Sequence, residues 1–241
     1  MRLVTWNCCR GAYLKNASLL QVLAPDIAVL QECAKPVAQS DQCLWFGDNP
    51  RQGIAVVANG FYRIRALAAV ADVPRYAIPI EVTGPINFIL IAVWSKADQE
   101  KPYVEAVIRA VELYRNLFTE YPTVLAGDFN SNSIWDAQHA AGQSHSALVE
   151  MLFQLGLVSS YHYFHREEHG KEKLPTYYFQ WKEQRPFHID YCFIPAKWAP
   201  HLRLVEVGSY SDWKESSDHR PLLVDIVEDA IERAPFARMI S

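Results

Sequence analysis

The strongest constraint on the fold is a series of short apolar segments of strand length that recurs along most of the chain. Several are continuous apolar or β-branched runs, a pattern typical of strands that are covered on both faces. We therefore expect sheets that pack against helices on one side and against another sheet on the other. The predicted strands are Arg2–Trp6, Ile27–Gln31, Ile54–Ala58, Ile64–Val70, Ala77–Val82, Ile86–Trp94, Thr123–Ala126, Ile189–Ile194, Leu202–Val207 and Pro221–Val227.

Helical periodicity is present in three segments, Leu14–Leu23, Pro102–Glu120 and Ser146–Leu155. The second is the clearest, because its apolar residues form a stripe at helical spacing. Together with the strands, these helices favour an α/β (α+β) fold with two packed sheets flanked by helices. The chain shows no internal repeat and no linker, so we predict one domain over residues 1–228 and a C-terminal tail over 229–241.

The composition bounds the class of protein. Half of the 241 residues are hydrophobic and 21% are charged, which is ordinary for one globular domain and excludes a largely disordered chain. The formal charge of −4 and the pI of about 6.1 provide no global basic field of the kind that coats nucleic acid. A local basic groove is still compatible with this total.

The cysteines and the apolar runs indicate the compartment. Five cysteines without CxxC spacing argue against a disulfide framework and favour a reducing environment. The N-terminus runs directly into a predicted strand, without the apolar segment of a signal peptide. The most apolar run, Phe88 to Trp94, is too short to cross a bilayer. We expect a cytoplasmic monomer with no membrane span.

The functional information lies in the polar residues at or near the ends of apolar strands. Asp190 differs from the others because it lies inside an apolar segment, between Ile189 and Phe193. Burying a carboxylate without a partner costs several kcal/mol or more, so Asp190 needs a partner, and His219 is a good candidate. The other segments are Trp6-Asn7, Gln31-Glu32, Gly127-Asp128-Phe129-Asn130 and Ser216-Ser217-Asp218-His219-Arg220-Pro221.

Each of these residues also has an ordinary structural explanation when it is taken alone. Asn7, Asp128 and Asp218 are turn formers through their side-chain oxygens. Glu32 at a strand end is usually solvated, and His219 is compatible with a surface histidine. The functional interpretation depends on their convergence in the folded chain.

If they converge, three of them are suited to bind a metal. Mg²⁺ prefers hard oxygen ligands, often only one or two carboxylates, with water and substrate phosphate completing its octahedron. Glu32 supplies such a carboxylate, and Asn7 and Asp218 supply further oxygens. The pattern therefore predicts a Mg²⁺ site formed by Glu32, Asn7 and Asp218.

The remaining residues are suited to catalysis of hydrolysis. Asp128 and Asn130 are alternate residues, hence same-side neighbours that can hold and deprotonate a water molecule. A histidine with a carboxylate behind it can donate to a phosphoryl oxygen or move a proton. We therefore predict His219, Asp190, Asp128 and Asn130 as catalytic residues.

The ordered set of these segments, together with Ile189-Asp190-Tyr191, strongly resembles the endonuclease/exonuclease/phosphatase family, which includes proteins of the exonuclease III and deoxyribonuclease I type. The match runs from residue 3 to about residue 227. The resemblance implies a four-layer αββα sandwich of two mixed sheets and phosphoester cleavage that depends on Mg²⁺ or Mn²⁺. It also implies Glu32 as the principal metal ligand and an Asp190–His219 dyad.

The chain departs from the family pattern at several positions. Trp94 stands where many members carry a phosphate-contacting His or Tyr. Cys9 and Ala34 replace an Asn and a Lys that are common in apurinic endonucleases, which argues against abasic-site repair. The loop and dyad-strand signatures of inositol polyphosphate 5-phosphatases are also replaced.

Four residues are predicted to contact substrate: Trp94, Thr176, Arg10 and Arg51. Thr176 lies in a Thr-aromatic segment that resembles the one preceding the dyad strand in the family. The leading functional hypothesis is a nuclease that hydrolyses phosphodiesters of DNA or RNA. Two alternatives stay open: a phosphoesterase for a lipid or small molecule, and a non-catalytic binding domain of the same fold.

Overall fold

The computed structural model of the chain describes residues 1–10, 13–96 and 103–231, without the side chains of 13–17. The strands are β1 (Arg2–Asn7), β2 (Ile27–Cys33), β3 (Cys43–Asn49), β4 (Gln52–Ala58), β5 (Arg63–Ala66), β6 (Ala77–Thr83), β7 (Phe88–Trp94), β8 (Thr123–Asp128), β9 (Leu157–Ser159), β10 (Tyr177–Tyr178), β11 (Pro186–Phe187), β12 (Asp190–Pro195), β13 (Leu202–Val207) and β14 (Leu222–Ile226). The helices are α1 (Tyr13–Leu23), α2 (Tyr103–Leu113), α3 (Arg115–Glu120), α4 (His145–Gln154), α5 (Ser160–His165) and α6 (Tyr210–Trp213), with short 3₁₀ helices over 133–138, 179–181, 196–201 and 228–230.

Twelve strands form two six-stranded sheets with matching connectivity. The first has the order β13-β14-β1-β2-β4-β3, and the second has the order β5-β6-β7-β8-β12-β9. Each sheet contains one parallel pair, β1 with β2 and β7 with β8, and its other pairs are antiparallel. Strands β10 and β11 form a separate short ribbon.

The core explains why the strands read as continuous apolar runs. One buried cluster lies between the sheets and includes Val29, Leu90 and Val224. A second packs the other face of the second sheet against α2 and α4, and a third packs the first sheet against α1 and Trp213. The predicted four-layer αββα sandwich is confirmed, because both faces of each sheet are covered.

The structure differs from the predicted elements in a few places. The helix predicted over Pro102–Glu120 is two helices, α2 and α3, separated at Tyr114, and Pro102 lies outside the described residues. Strand β5 ends at Ala66 and does not reach Val70. Strand β3 was missed because it is an edge strand with few buried residues, and α5 because its six residues carry no clear apolar stripe.

The described part of the predicted tail continues the packing of the domain. Ile231 is buried, and Glu228 accepts a hydrogen bond from Tyr62 Oη at 2.6 Å. Residues 232–241 of the predicted tail lie outside the described part of the chain. Among the described residues, no helix is long and apolar enough to cross a membrane.

Candidate active site

The two parallel strand pairs bring the predicted polar residues to one edge of the sandwich. Asn7 ends β1 and lies beside Gln31 of β2, so that Glu32 follows at the same edge. In the second sheet, Asp128 ends β8 and pairs with Asp190 across the antiparallel ladder. Because parallel strands end at the same side of a sheet, residues distant in sequence meet here.

Asn7 joins the two sheets at this edge. Its Nδ2 donates to Asp128 Oδ2 at 3.0 Å and to Glu32 Oε1 at 3.4 Å. Its Oδ1 accepts from the backbone N–H of Cys9 at 3.0 Å. A single buried amide therefore fixes the spacing between a carboxylate of the first sheet and one of the second.

Glu32 is held by an irregularity in β2. Its φ of +52° coincides with a break in the pairing with β4 between Leu30 and Cys33, which turns the carboxylate toward the edge. Its Oε2 accepts from Gln52 Nε2 at 2.8 Å and from the backbone N–H of Arg10 at 2.9 Å. Arg10, a predicted substrate contact, therefore reaches Glu32 through its backbone N–H, and the residue is exposed to solvent.

The loop after β8 is tightly determined. A Cβ at Gly127 would overlap the backbone of Val93 on the parallel neighbour β7, so this position requires glycine. Asn130 has a φ of +48° and donates to both oxygens of Asp128, from its backbone N–H at 2.9 Å and from Nδ2 at 3.0 Å. Its Nδ2 also contacts Ser95 O at 2.9 Å. Asn130 therefore orients the Asp128 carboxylate.

The predicted Asp190–His219 pair is present as a hydrogen bond of 2.9 Å between Asp190 Oδ2 and His219 Nδ1. Asp190 is fully buried, and His219 is 5% exposed. The backbone N–H of His219 donates to Ser217 Oγ, whose hydroxyl donates to Asn7 O. Asp190 thus holds Nδ1 of the imidazole, and Nε2 points away from the Asp190 carboxylate.

Thr176, which is predicted to contact phosphate, lies in the interior at the start of β12. Its side chain is fully buried, and its Oγ1 accepts from the backbone N–H groups of Ile189 and Asp190, both at 3.0 Å. A hydroxyl with two such bonds and no exposed surface supports the start of β12. Thr176 therefore positions Asp190, and its contact with phosphate stays a prediction.

Asp128, Asp190 and His219 form a compact group, with one ligand-type atom of each within 4.8 Å of the others. Burial raises the pKa of Asp128 to about 7, and the negative charge of Asp190 adds to this effect. Burial alone lowers the pKa of His219, but the Asp190 and Asp128 carboxylates outweigh it and raise it to about 9. The histidine is therefore cationic at neutral pH, between two carboxyl groups.

Asp218 lies close to Cys9, whose backbone N–H donates to Asn7 Oδ1. Burial raises the pKa of the Cys9 thiol to about 12, with further contributions from the charges of Asp218 and Glu32. Both carboxylates therefore lie close to a neutral thiol. The Asp218 carbonyl accepts from the backbone N–H of Tyr178 at 2.9 Å.

The predicted substrate contacts Trp94 and Arg51 lie at the rim. Trp94 is 2% exposed and is covered by Lys96, whose Nζ lies 4.2 Å from the indole centroid. A cavity of about 400 Å³ is lined by Trp94, Lys96 and Gln52, among others. Arg51 is exposed in the turn before Gln52. Lys96 and Arg75 line this cavity, and Arg51 adds positive charge in the adjoining turn.

Sequence reasoning left two features of the site unassigned. The first is an open cavity of about 510 Å³ beside Asn130, lined by aromatic residues that include Trp135, Tyr177 and Phe187, with Arg185 at its wall. The Tyr177 ring also packs against His219, with centroids 4.5 Å apart. The sequence signals for this cavity were the Thr-aromatic segment and Trp135, an aromatic residue that could stack on a base.

The second is Arg220, which is 1% exposed. Its Nη1 donates to the carbonyls of Ser217 at 2.7 Å and His219 at 3.0 Å, and its guanidinium lies over the rings of Tyr178 and Tyr210. Arg220 therefore fixes the loop that carries Asp218 and His219.

Comparison with known proteins supports the fold. No family model and no curated protein sequence matches this chain. Among solved structures, the 3′-5′ exonuclease NExo from Neisseria meningitidis aligns with a TM-score of 0.69 and 22% identity, over 94% of this chain and 99% of that one. The two chains share one fold. An AP endonuclease from Archaeoglobus fulgidus (TM-score 0.68, 16% identity, 94% and 99% covered) and the endonuclease domain of TRAS1, a telomere-specific non-LTR retrotransposon (0.64, 15%, 93% and 97%), have it as well.

Proposed function

We propose that this chain is a divalent-metal-dependent phosphodiester hydrolase that acts on nucleic acid. The observation that carries the proposal is the group formed by Asp128, Asp190 and His219 beside the Asn7-bridged Glu32. A buried cationic histidine next to several carboxyl groups is suited to a reaction in which water is deprotonated and an anionic oxygen is stabilised.

The metal would be held by Glu32, with Asn7 and Asp218 as further oxygen donors. Glu32 and Asp218 offer carboxylate oxygens, which fit Mg²⁺ or Mn²⁺. The Asn7 amide turns Nδ2 toward Glu32 and Oδ1 toward the Cys9 N–H, so it would offer its oxygen to the metal after rotating by half a turn. The surroundings also fit a cation: Asp190 Oδ1 is buried without a hydrogen-bond partner among the described residues, and the carboxyl groups repel one another. When bound, such a metal supplies positive charge that polarises the phosphoryl oxygens.

The residues of the chain then perform the proton transfers. Asp128, with a pKa near 7, accepts a proton from the attacking water at neutral pH, and Asn130 holds the carboxylate in position for this step. His219, positioned by Asp190, donates from Nε2 to a phosphoryl oxygen and stabilises the charge that develops there.

Nucleic acid is the substrate that the surroundings favour. The aromatic cavity beside Asn130 has the size and lining to accept a sugar or an unstacked base, and Lys96 and Arg51 can contact phosphates. Among the solved structures of similar fold, NExo is described as a 3′-5′ exonuclease and as a 3′ phosphatase, and one of its structures contains a product DNA hairpin. DNA is therefore the proposed substrate class.

The proposal includes a cytoplasmic monomer. All five cysteines are free thiols, as expected in a reducing compartment. Every group of the site described above comes from one chain, so the chemistry requires no second subunit. Size-exclusion chromatography with light scattering at the assay concentration tests the oligomeric state.

The test uses a supercoiled plasmid and a 3′-labelled duplex oligonucleotide, incubated with the chain in Mg²⁺, in Mn²⁺ and with EDTA. We expect metal-dependent cleavage that is lost in Glu32→Ala and His219→Ala but retained in the control His201→Ala. Cleavage of bis-p-nitrophenyl phosphate or a lipid phosphoester, with both DNAs intact, would support the alternative of a phosphoesterase for a lipid or small molecule. No turnover on any of these substrates, in a chain that binds DNA, would support a non-catalytic domain.

A further inference from the structure

A second group of ligand-type side chains lies on the opposite face of β12, where Tyr191 and Phe193 point toward α4. It consists of His162 from α5 and of His169 and Glu172 from the loop over residues 166–173. One nitrogen or oxygen of each lies within 4.8 Å of the other two. This group takes no part in the proposed hydrolysis.

Both histidines have a fixed second partner. His162 Nδ1 lies 2.7 Å from Ser159 Oγ, and His169 Nδ1 lies 3.3 Å from His145 Nε2. A histidine that binds a metal through one nitrogen usually has the other nitrogen hydrogen-bonded in this way, because the bond fixes the ring and its tautomer. The second nitrogen of His162 faces Glu172 Oε1 at 3.0 Å, so a cation bound between them would replace this hydrogen bond.

The carboxylate is fixed as firmly as the rings. Glu172 Oε1 accepts from the backbone N–H of Gly170 at 2.9 Å and from Asn132 Nδ2 at 3.2 Å, and lies 3.0 Å from His162 Nε2. The side chains of Glu172 and His162 are only 5% and 8% exposed. A buried carboxylate beside two imidazoles is an arrangement that binds cations.

The two imidazole rings are stacked, with centroids 3.5 Å apart and an interplanar angle of 17°. Two imidazolium rings would repel each other at this separation, so at least one of them is neutral and presents a nitrogen lone pair. A cavity of about 220 Å³, lined by both rings and by Phe153 and Phe193 among others, reaches them from outside. It provides room for a water molecule as an additional ligand.

We propose that His162, His169 and Glu172 form a Zn²⁺ site. Two imidazole nitrogens and one carboxylate are a donor set typical of zinc, whereas Mg²⁺ prefers oxygen donors alone. The 166–173 loop contains no helix or strand, and a zinc ion would fasten two of its residues to α5.

The zinc site would also support the loop that follows Asn130. Asn132 contacts Glu172, and His145, the partner of His169, bonds through Nδ1 to Ser131 Oγ at 2.9 Å. Ser131 and Asn132 follow Asn130 directly, so the zinc site would hold the loop after β8 against the 166–173 loop. We assign it a structural role.

The test uses the full chain, stripped of metal with a chelator and kept in millimolar Mg²⁺ to occupy the hydrolytic site. Co²⁺ is titrated as a spectroscopic probe, since a four- or five-coordinate site with imidazole ligands absorbs far more strongly in the visible range than an octahedral oxygen site. We expect an intense band that saturates at one equivalent and disappears when one equivalent of Zn²⁺ is added.

Variants assign the band to its ligands. His169→Asn and Glu172→Gln should abolish it and weaken zinc binding by more than the ~10–100-fold typical of changes to outer-shell partners. Two controls should keep it: His165→Gln, three residues from His162 on the same helix and bonded to Val205 O, and Glu32→Ala at the hydrolytic site. Circular dichroism without metal identifies variants that do not fold, and a folded variant of either ligand suffices for the test.

Thermal unfolding gives an independent measurement. Zinc should raise the unfolding midpoint of the wild type and of Glu32→Ala but not that of Glu172→Gln, because only a ligand bound to the folded state stabilises it. The proposal is overturned if no intense cobalt band forms, if His169→Asn and Glu172→Gln bind zinc like the wild type, or if Glu32→Ala removes the band. The last result would assign the metal to the hydrolytic site.

Discussion

The two groups of ligand-type residues lie on opposite faces of β12 and differ in their donor atoms. At the edge of the sandwich, Asp128 and Asp190 lie beside one cationic histidine, and the open aromatic cavity is next to Asn130. Behind the strand, His162 and His169 surround one carboxylate and face a cavity lined largely by apolar residues. The same strand therefore supports an oxygen-rich group suited to phosphate chemistry and a nitrogen-rich group suited to a structural metal.

This contrast yields predictions about which group contributes to rate and which to stability. The largest expected effect is on catalysis. Asp190→Asn removes the charge that keeps His219 protonated and should lower kcat/KM on DNA by ~10³-fold, within the range for loss of a positioned acid or base. Glu172→Gln, the matched change in the second group, should change kcat/KM by less than ~10-fold.

Steady-state kinetics on the labelled oligonucleotide in excess Mg²⁺ checks both variants. Equal losses in Asp190→Asn and Glu172→Gln would break the distinction between a reactive and a structural group.

The next effect concerns the pH dependence of stability. Burial lowers the pKa of His188 from its ordinary value of 6.5 to about 4, so the unfolded chain binds more protons between these values. The free energy of unfolding should therefore fall as the pH drops from 6.5 toward 4, by up to about 3 kcal/mol from this residue.

Urea unfolding at pH 7.5 and pH 5 measures this loss, and His188→Gln provides the comparison because glutamine does not titrate. An identical pH dependence in wild type and variant would assign the loss to other groups.

A smaller effect is expected at Arg220. Arg220→Lys keeps the charge but cannot span the carbonyls of Ser217 and His219 while stacking on Tyr178. We expect a loss of ~2 kcal/mol in the free energy of unfolding, together with reduced activity because the loop carrying His219 loosens. Chemical denaturation and kinetics on the same sample measure both, and an unchanged stability with unchanged activity would contradict this role.

The smallest effect is expected at the rim. Lys96→Ala and Arg51→Ala should each raise KM for DNA by a few-fold with kcat unchanged, because a single phosphate contact contributes about one unit to the salt dependence of binding. Measurement of KM at several salt concentrations checks this. A fall in kcat instead would move either residue from substrate binding into the catalytic group.

Much of the fold was predictable because its physical signal is local. Buried strands such as β7 and β8 read as continuous apolar runs, and they are covered on both faces. Strand β3 has mostly half-exposed residues and gave no such signal. The break of the long helix at Tyr114 was also invisible, since the apolar stripe continues across it.

The candidate site divides in the same way. Asn7, Glu32, Asp128 and Asp190 were identifiable because polar residues at the ends of apolar strands are unusual and form an ordered pattern. Thr176 was identified as part of that pattern, but its hydroxyl is used by the backbone of β12. A sequence position does not reveal whether a side chain faces the cleft or the interior.

The sequence by itself determined the layered architecture and the residue types at the sheet edge, because burial on both faces and the chemistry of carboxylates leave direct marks in the order of residues. Only the tertiary structure decided that Asn7 bridges Glu32 and Asp128 and that an aromatic cavity opens beside Asn130. It also decided that His162, His169 and Glu172 converge. These are contacts between side chains on different elements, and they depend on distances and directions that only the packed sheets and loops set.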